Sequence, residues 1–162
     1  MMKANFFKYL TILVMLILAG SPANSQDKSK EIQKVQDDMK VLQGDWFCIM
    51  EETGGQSLTK DKVKEMNKRM NVDKSFMIMK RVKGDKLGVY EGKFELDSTT
   101  KPKKFDFTGK GPSGANVEWK GIYELTENEF EITLVEKGLR PKEFKTGKDE
   151  KGTYMQFKRD KD

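Results

Sequence analysis

A chain without a single histidine lacks the side chain most often used to move protons near neutral pH. Its supply of nucleophiles is equally thin. Cys48 stands alone, so it makes no disulfide within the chain, and it alternates with Trp46 and Met50 in a stretch that reads as strand. That setting suits a small buried hydrophobe better than a thiolate, which would need an activating partner. No Gly-x-Ser-x-Gly elbow and no glycine-rich phosphate loop is present. Carboxylates are plentiful, but Glu124, Glu129 and Glu131 fall on the polar side of alternating stretches or in turns, where water solvates them. These residues predict a protein that is not an enzyme and that carries no cofactor.

Two other groups of residues could bind rather than react. Met66 and Met70 are four apart, and Met77 and Met79 are two apart. Thioethers suit Cu(I), yet methionine is also the adaptable filler of lids and pockets, and that second role is the one expected, with no metal site. The aromatic residues Tyr90, Phe94, Phe105, Phe107, Trp119, Tyr123 and Phe130 recur on the apolar side of period-two patterns. A small barrel lined by them is just wide enough either to fill with side chains or to hold one small ligand. The candidate pocket therefore comprises those aromatics with Met66, Met70 and Met77, and its ligand would be small and apolar or amphipathic. The competing reading is a solidly packed barrel that docks a protein partner.

Charge adds little. The formal net charge is +5 with the two signs interspersed, and the densest basic run, Lys101-Pro102-Lys103-Lys104, reads as a solvated loop. Neither an aromatic RNA-binding signature nor a recognition-helix pattern accompanies it, so no nucleic-acid partner is expected. A monomer is.

The elements that position these residues can be read in order. Lys3 and Lys8 precede an apolar run at 9–19 that is too short to span a bilayer. Small residues follow at Ala19-Gly20-Ser21 and Ala23-Asn24-Ser25. Residues 1–25 are expected to be an export leader, leaving one domain over 26–162 and no membrane span. The protein would then act in the periplasm, at the cell surface or outside the cell.

Ile32, Val35, Met39 and Leu42 predict one narrow apolar face of a helix over 27–42, stopped at Gly44. A first strand follows over 45–52. Thr59 is a good N-cap for a second helix reaching Met70, with Val63, Met66 and Met70 on one face over the barrel opening and Asn71 closing it. Alternation then predicts strands over 75–82, 87–96, 104–108, 116–125 and from Phe130 to Leu134, a short one at Phe144, and a last one over 153–159. One apolar face per strand and short, even spacing predict an all-β, antiparallel up-and-down barrel of about eight strands. On the last strand Met155, Phe157 and Arg159 share a face. An inward arginine needs a partner, and Trp46 supplies one if the first and last strands pair.

Gly44-Asp45-Trp46, closing a helix and opening the first strand, resembles the Gly-x-Trp motif that marks the closed end of lipocalin barrels. Four motifs in order are more specific: Leu42-Gln43-Gly44-Asp45-Trp46, Gly121-Ile122-Tyr123-Glu124-Leu125, Arg140-Pro141-Lys142-Glu143-Phe144 and Phe157-Lys158-Arg159. Together they are similar to a family of small exported lipocalin-like domains known chiefly from planctomycete bacteria. The resemblance covers 41–159, and the helical segment at 59–70 departs from the simple loop of many lipocalins. It implies a fold and a binding style, with Gly44, Trp46 and Arg159 as structural residues of the closed end, and it names no ligand.

Overall fold

Period-two patterning becomes a continuous antiparallel ladder in the computed structural model of the protein, which describes residues 22–148 and 152–160. Helix α1 (Pro22–Leu42) leads into β1 (Gly44–Thr53), a two-residue β2 (Gln56–Ser57) and helix α2 (Lys60–Met66). The remaining strands are β3 (Arg69–Asp73), β4 (Phe76–Lys83), β5 (Lys86–Asp97), β6 (Lys103–Lys110), β7 (Asn116–Leu125), β8 (Glu129–Val135) and β9 (Gly152–Arg159). β2 folds back on the end of β1. The other eight strands pair in chain order, and β9 returns to pair with β1. The result is a closed eight-stranded barrel of lipocalin-like, all-β type. Closure removes the free edges that an open sheet would present.

The inner rows are those that alternation identifies, and they fill the lower barrel. Phe94 stacks on Phe105 at 5.4 Å, and Phe130 touches the rings of Trp46, Phe105, Tyr123 and Phe157. The backbones approach closely where Gly92 faces Gly109 across β5 and β6. A Cβ on Gly92 would lie 2.3 Å from the Thr108 carbonyl oxygen, and one on Gly109 would lie 2.2 Å from that of Glu91. Only glycine permits that approach.

The closed end is tied together by Arg159. Its guanidinium carbon sits 4.3 Å from the Trp46 ring centroid, on the strand position paired with Trp46. The same group donates to the carbonyls of Gln43 and Glu127, each at 2.7 Å, and to that of Val41. Trp46 Nε1 donates to the Leu42 carbonyl at 2.9 Å. The carbonyls of Val41, Leu42 and Gln43 are ones that the end of α1 leaves without helical partners, met here by a cation and an indole, while that of Glu127 belongs to the turn between β7 and β8. Gly44, with φ of +98°, turns the chain from helix to strand. Further along α1, Asp38 accepts from the Tyr123 hydroxyl at 2.7 Å and from Lys103 at 2.9 Å.

Three expectations change. α1 begins at Pro22 rather than at residue 27, and residues 1–21, most of the expected leader, lie outside those described. α2 ends at Met66: Thr59 does cap its start, but Asn67 takes a left-handed conformation (φ 38°) and donates to Lys64 O. Residues 69–73 are strand, so Val63, Met66 and Met70 straddle a helix end and share a helical spacing by coincidence. β3 reaches only Phe47 on β1 and Lys80 on β4, and α2 packs against those two strands beyond it. It thus continues the wall, with Val63 buried in the core. Finally, 136–148 contains no strand. Phe144 instead meets the edge of Tyr154, and Arg140 holds the segment to the outside of β6 and β7 through Asp106 and the carbonyls of Phe105 and Gly121. Among the described residues no helix is long and apolar enough to cross a membrane.

Candidate ligand site at the open end

The upper half of the barrel differs from the lower because β1 breaks its own alternation. Cys48 pairs with Phe157 and Met50 with Gln156, leaving Ile49 as an extra residue in a bulge. Beyond it the parity is reversed. Glu51, opposite Met155, points into the barrel and is only 6% exposed, whereas strict alternation would have turned Met50 inward.

A buried carboxylate demands a partner, and Lys68 provides it. After the Asn67 turn, the Lys68 carbonyl accepts from Cys48 N at 2.9 Å, extending the β1–β3 ladder by one residue. This sets Lys68 on the inner row of Met70 and Val72. Its side chain is 4% exposed, and Nζ bonds Glu51 Oε2 and approaches Met155 Sδ at 3.4 Å. An ammonium has three donors, and those two contacts use only part of that capacity.

Above this pair lies a cavity of about 160 Å³. Met79, Tyr90, Trp119 and Leu134 form its sides, while Arg81, Glu136 and Thr153 stand at its rim. Tyr90 and Trp119 lean on one another at 4.9 Å, and Trp119 stacks on Phe107 at 4.8 Å, which seals the cavity from the packed aromatics beneath. Arg81 lies 5.6 Å from the Tyr90 ring centre and donates to its hydroxyl at 3.4 Å. Two cations and two carboxylates thus face one small space beside a continuous aromatic surface. A void of about 150 Å³ accepts one benzene-sized ring, whereas sites for larger ligands run from about 300 Å³ upward.

Cys48 lies on the inner row next to this pair. Burial pushes its thiol up to about 11, against the opposing pull of the Lys68 ammonium, and Sγ donates to Met50 O at 3.2 Å. It is a protonated core residue at neutral pH. Outside the barrel, the carboxylate of Glu52 is held below its ordinary range chiefly by the Thr146 N–H, which it accepts at 2.8 Å; this ties the 136–148 segment to the β1–β2 hairpin.

Of the ten residues proposed from sequence, Tyr90 and Trp119 line the cavity. Met70, Met77, Phe94, Phe105, Phe107 and Phe130 are buried core beneath it. Tyr123 also belongs to the core, with its hydroxyl on Asp38 at the far end, and Met66 is half-buried on α2. Sequence reasoning missed Glu51, Lys68, Arg81 and Glu136. Arg81 had a visible signal, since it continues the period-two row of Met77 and Met79. Lys68 and Glu51 had none, because one follows an irregular turn and the other a bulge. No family model, curated protein or solved structure matches the chain.

Proposed function

We propose that this is an exported lipocalin-like binding protein for a small amphipathic molecule, about one aromatic ring in size, carrying a polar or anionic group. The observation that carries this reading is the convergence of Lys68, Arg81, Glu51 and Glu136 on one cavity walled by Tyr90 and Trp119. The ring of such a ligand would rest against the aromatic pair, and its polar group would take the spare donor capacity of Lys68 and the guanidinium of Arg81. Long acyl chains do not suit the site, because the barrel beneath Trp119 is filled by Phe107, Phe105 and Phe94. The leader-like N-terminus supports export.

Calorimetric titration with benzoate and with palmitate tests this. Benzoate should bind and palmitate should give no saturable heat. Trp119→Ala and Arg81→Ala should each weaken benzoate by about tenfold, the worth of ~1.4 kcal/mol of contact. Palmitate binding with benzoate silent would overturn the reading.

A further inference from the structure

The Lys68–Glu51 pair has a capacity beyond recognition. We infer that Lys68 captures small aromatic aldehydes as an imine inside the barrel, with Glu51 shuttling the proton and then serving as counter-ion. Three observations carry this. Lys68 is the lysine buried in the core among the described residues, and it lines the cavity together with Glu51. Its direct polar partner is a carboxylate able to accept a proton, and its other contact, the Met155 thioether, is a weak acceptor that does not hold it. The cavity matches one ring with a carbonyl, and the Tyr90–Trp119 surface that lines it with Lys68 offers that ring a place to lie. Amines at such enclosed positions are the ones that form imines with carbonyl ligands.

The chemistry balances without any co-reactant. The Lys68 ammonium gives a proton to Glu51, and the freed lone pair adds to the aldehyde carbon. As the N–C bond forms, the carbonyl π pair moves onto oxygen, which takes a proton from the now cationic nitrogen to give the neutral carbinolamine. The carbinolamine then loses its hydroxyl as water, using the proton returned by Glu51, while nitrogen closes the C=N bond. The net change is aldehyde plus ammonium giving iminium plus water, with one positive charge on each side. Glu51 ends as it began, a carboxylate facing a cation. The product therefore keeps the buried charge pair intact, whereas neutralising or removing either partner would leave the other uncompensated.

The test uses benzaldehyde with cyanoborohydride on the intact protein, followed by peptide mapping. Lys68 should acquire the benzyl group first, ahead of exposed lysines such as Lys60 and Lys93, and sodium benzoate should protect it. Glu51→Gln should slow labelling of Lys68 by about 100-fold while leaving the exposed lysines unchanged, the usual scale for losing a positioned proton-transfer group. Should Glu51→Gln fail to fold, the order of labelling and the benzoate protection in the unaltered chain still decide the matter. Labelling confined to exposed lysines, with Lys68 unmodified in the folded protein, overturns the inference. The binding reading fails separately: benzoate that binds while Lys68 stays unlabelled sinks only the imine.

Discussion

Arg159 is gripped by an indole face and by three backbone carbonyls that α1 and the β7–β8 turn leave exposed. Arg159→Ala removes all of these at once and should destabilise the protein by about 2–4 kcal/mol in urea unfolding. Lysine should recover less than half, because a point charge cannot both stack and fork. A Trp46→Phe cycle with Arg159→Ala should show coupling near 1 kcal/mol, and additivity would remove the stacking contribution. Cys48 offers a second measurement. Its thiol is raised from 9.0 to about 11, so between these values the folded chain keeps a proton that the unfolded chain has lost. The stability this group contributes is complete below pH 9 and is lost as pH rises through 11. Cys48→Ala should therefore flatten the decline of unfolding free energy across that window. Tyr154, pushed up from 10.0 to about 12 mainly by burial, adds a decline of the same sign between those values, and that part remains in Cys48→Ala. At this scale the Arg159–Trp46 contact was legible from sequence, because unbroken alternation carries Met155 and Phe157 on to Arg159. The Lys68–Glu51 pair was not, since neither residue sits on an unbroken pattern.

The elements show why. A strand's period of two is a strong signal until one residue is inserted, after which every later residue changes face. Ile49 does this in β1 and delivers a carboxylate to the interior. The reversal predicts an order of tolerance that a regular strand would invert. Met50→Lys, directed outward, should cost about 1 kcal/mol or less, while Glu51→Gln, which strands the buried Lys68 charge, should cost about 3–5 kcal/mol. Urea unfolding of both variants checks the order, and a costly Met50→Lys beside a tolerated Glu51→Gln would restore strict alternation. The spans of β4, β5 and β7 were legible because no bulge interrupts them. α2 was misjudged at its end because three apolar residues kept helical spacing across the left-handed turn at Asn67. Depth along the barrel was hidden as well. Alternation says that Phe94 and Trp119 both point inward, but only the register of neighbouring strands sets one in the packed floor and the other beside the cavity.

For the whole molecule, closure was the sharpest expectation and the structure has it. Each strand after β3 pairs with its successor through a local connection, but the seam between β1 and β9 joins the two extremes of the domain. Arg159 meets Gln43 across 116 chain positions. Bringing such distant segments together costs loop entropy before any contact rewards it, so this seam should be the last to form. The difference is kinetic rather than energetic. Arg159→Ala should leave the refolding rate nearly unchanged and accelerate unfolding, whereas Phe107→Leu, inside the local ladder of β5 to β7, should slow refolding. Stopped-flow chevrons on the two variants separate these outcomes, and a refolding limb slowed by Arg159→Ala would place the seam in the nucleus. If it does form last, the half-life of the folded protein depends on one arginine at the end of β9. A cleavage between Lys158 and Arg159 would shorten that lifetime before it altered the barrel's shape.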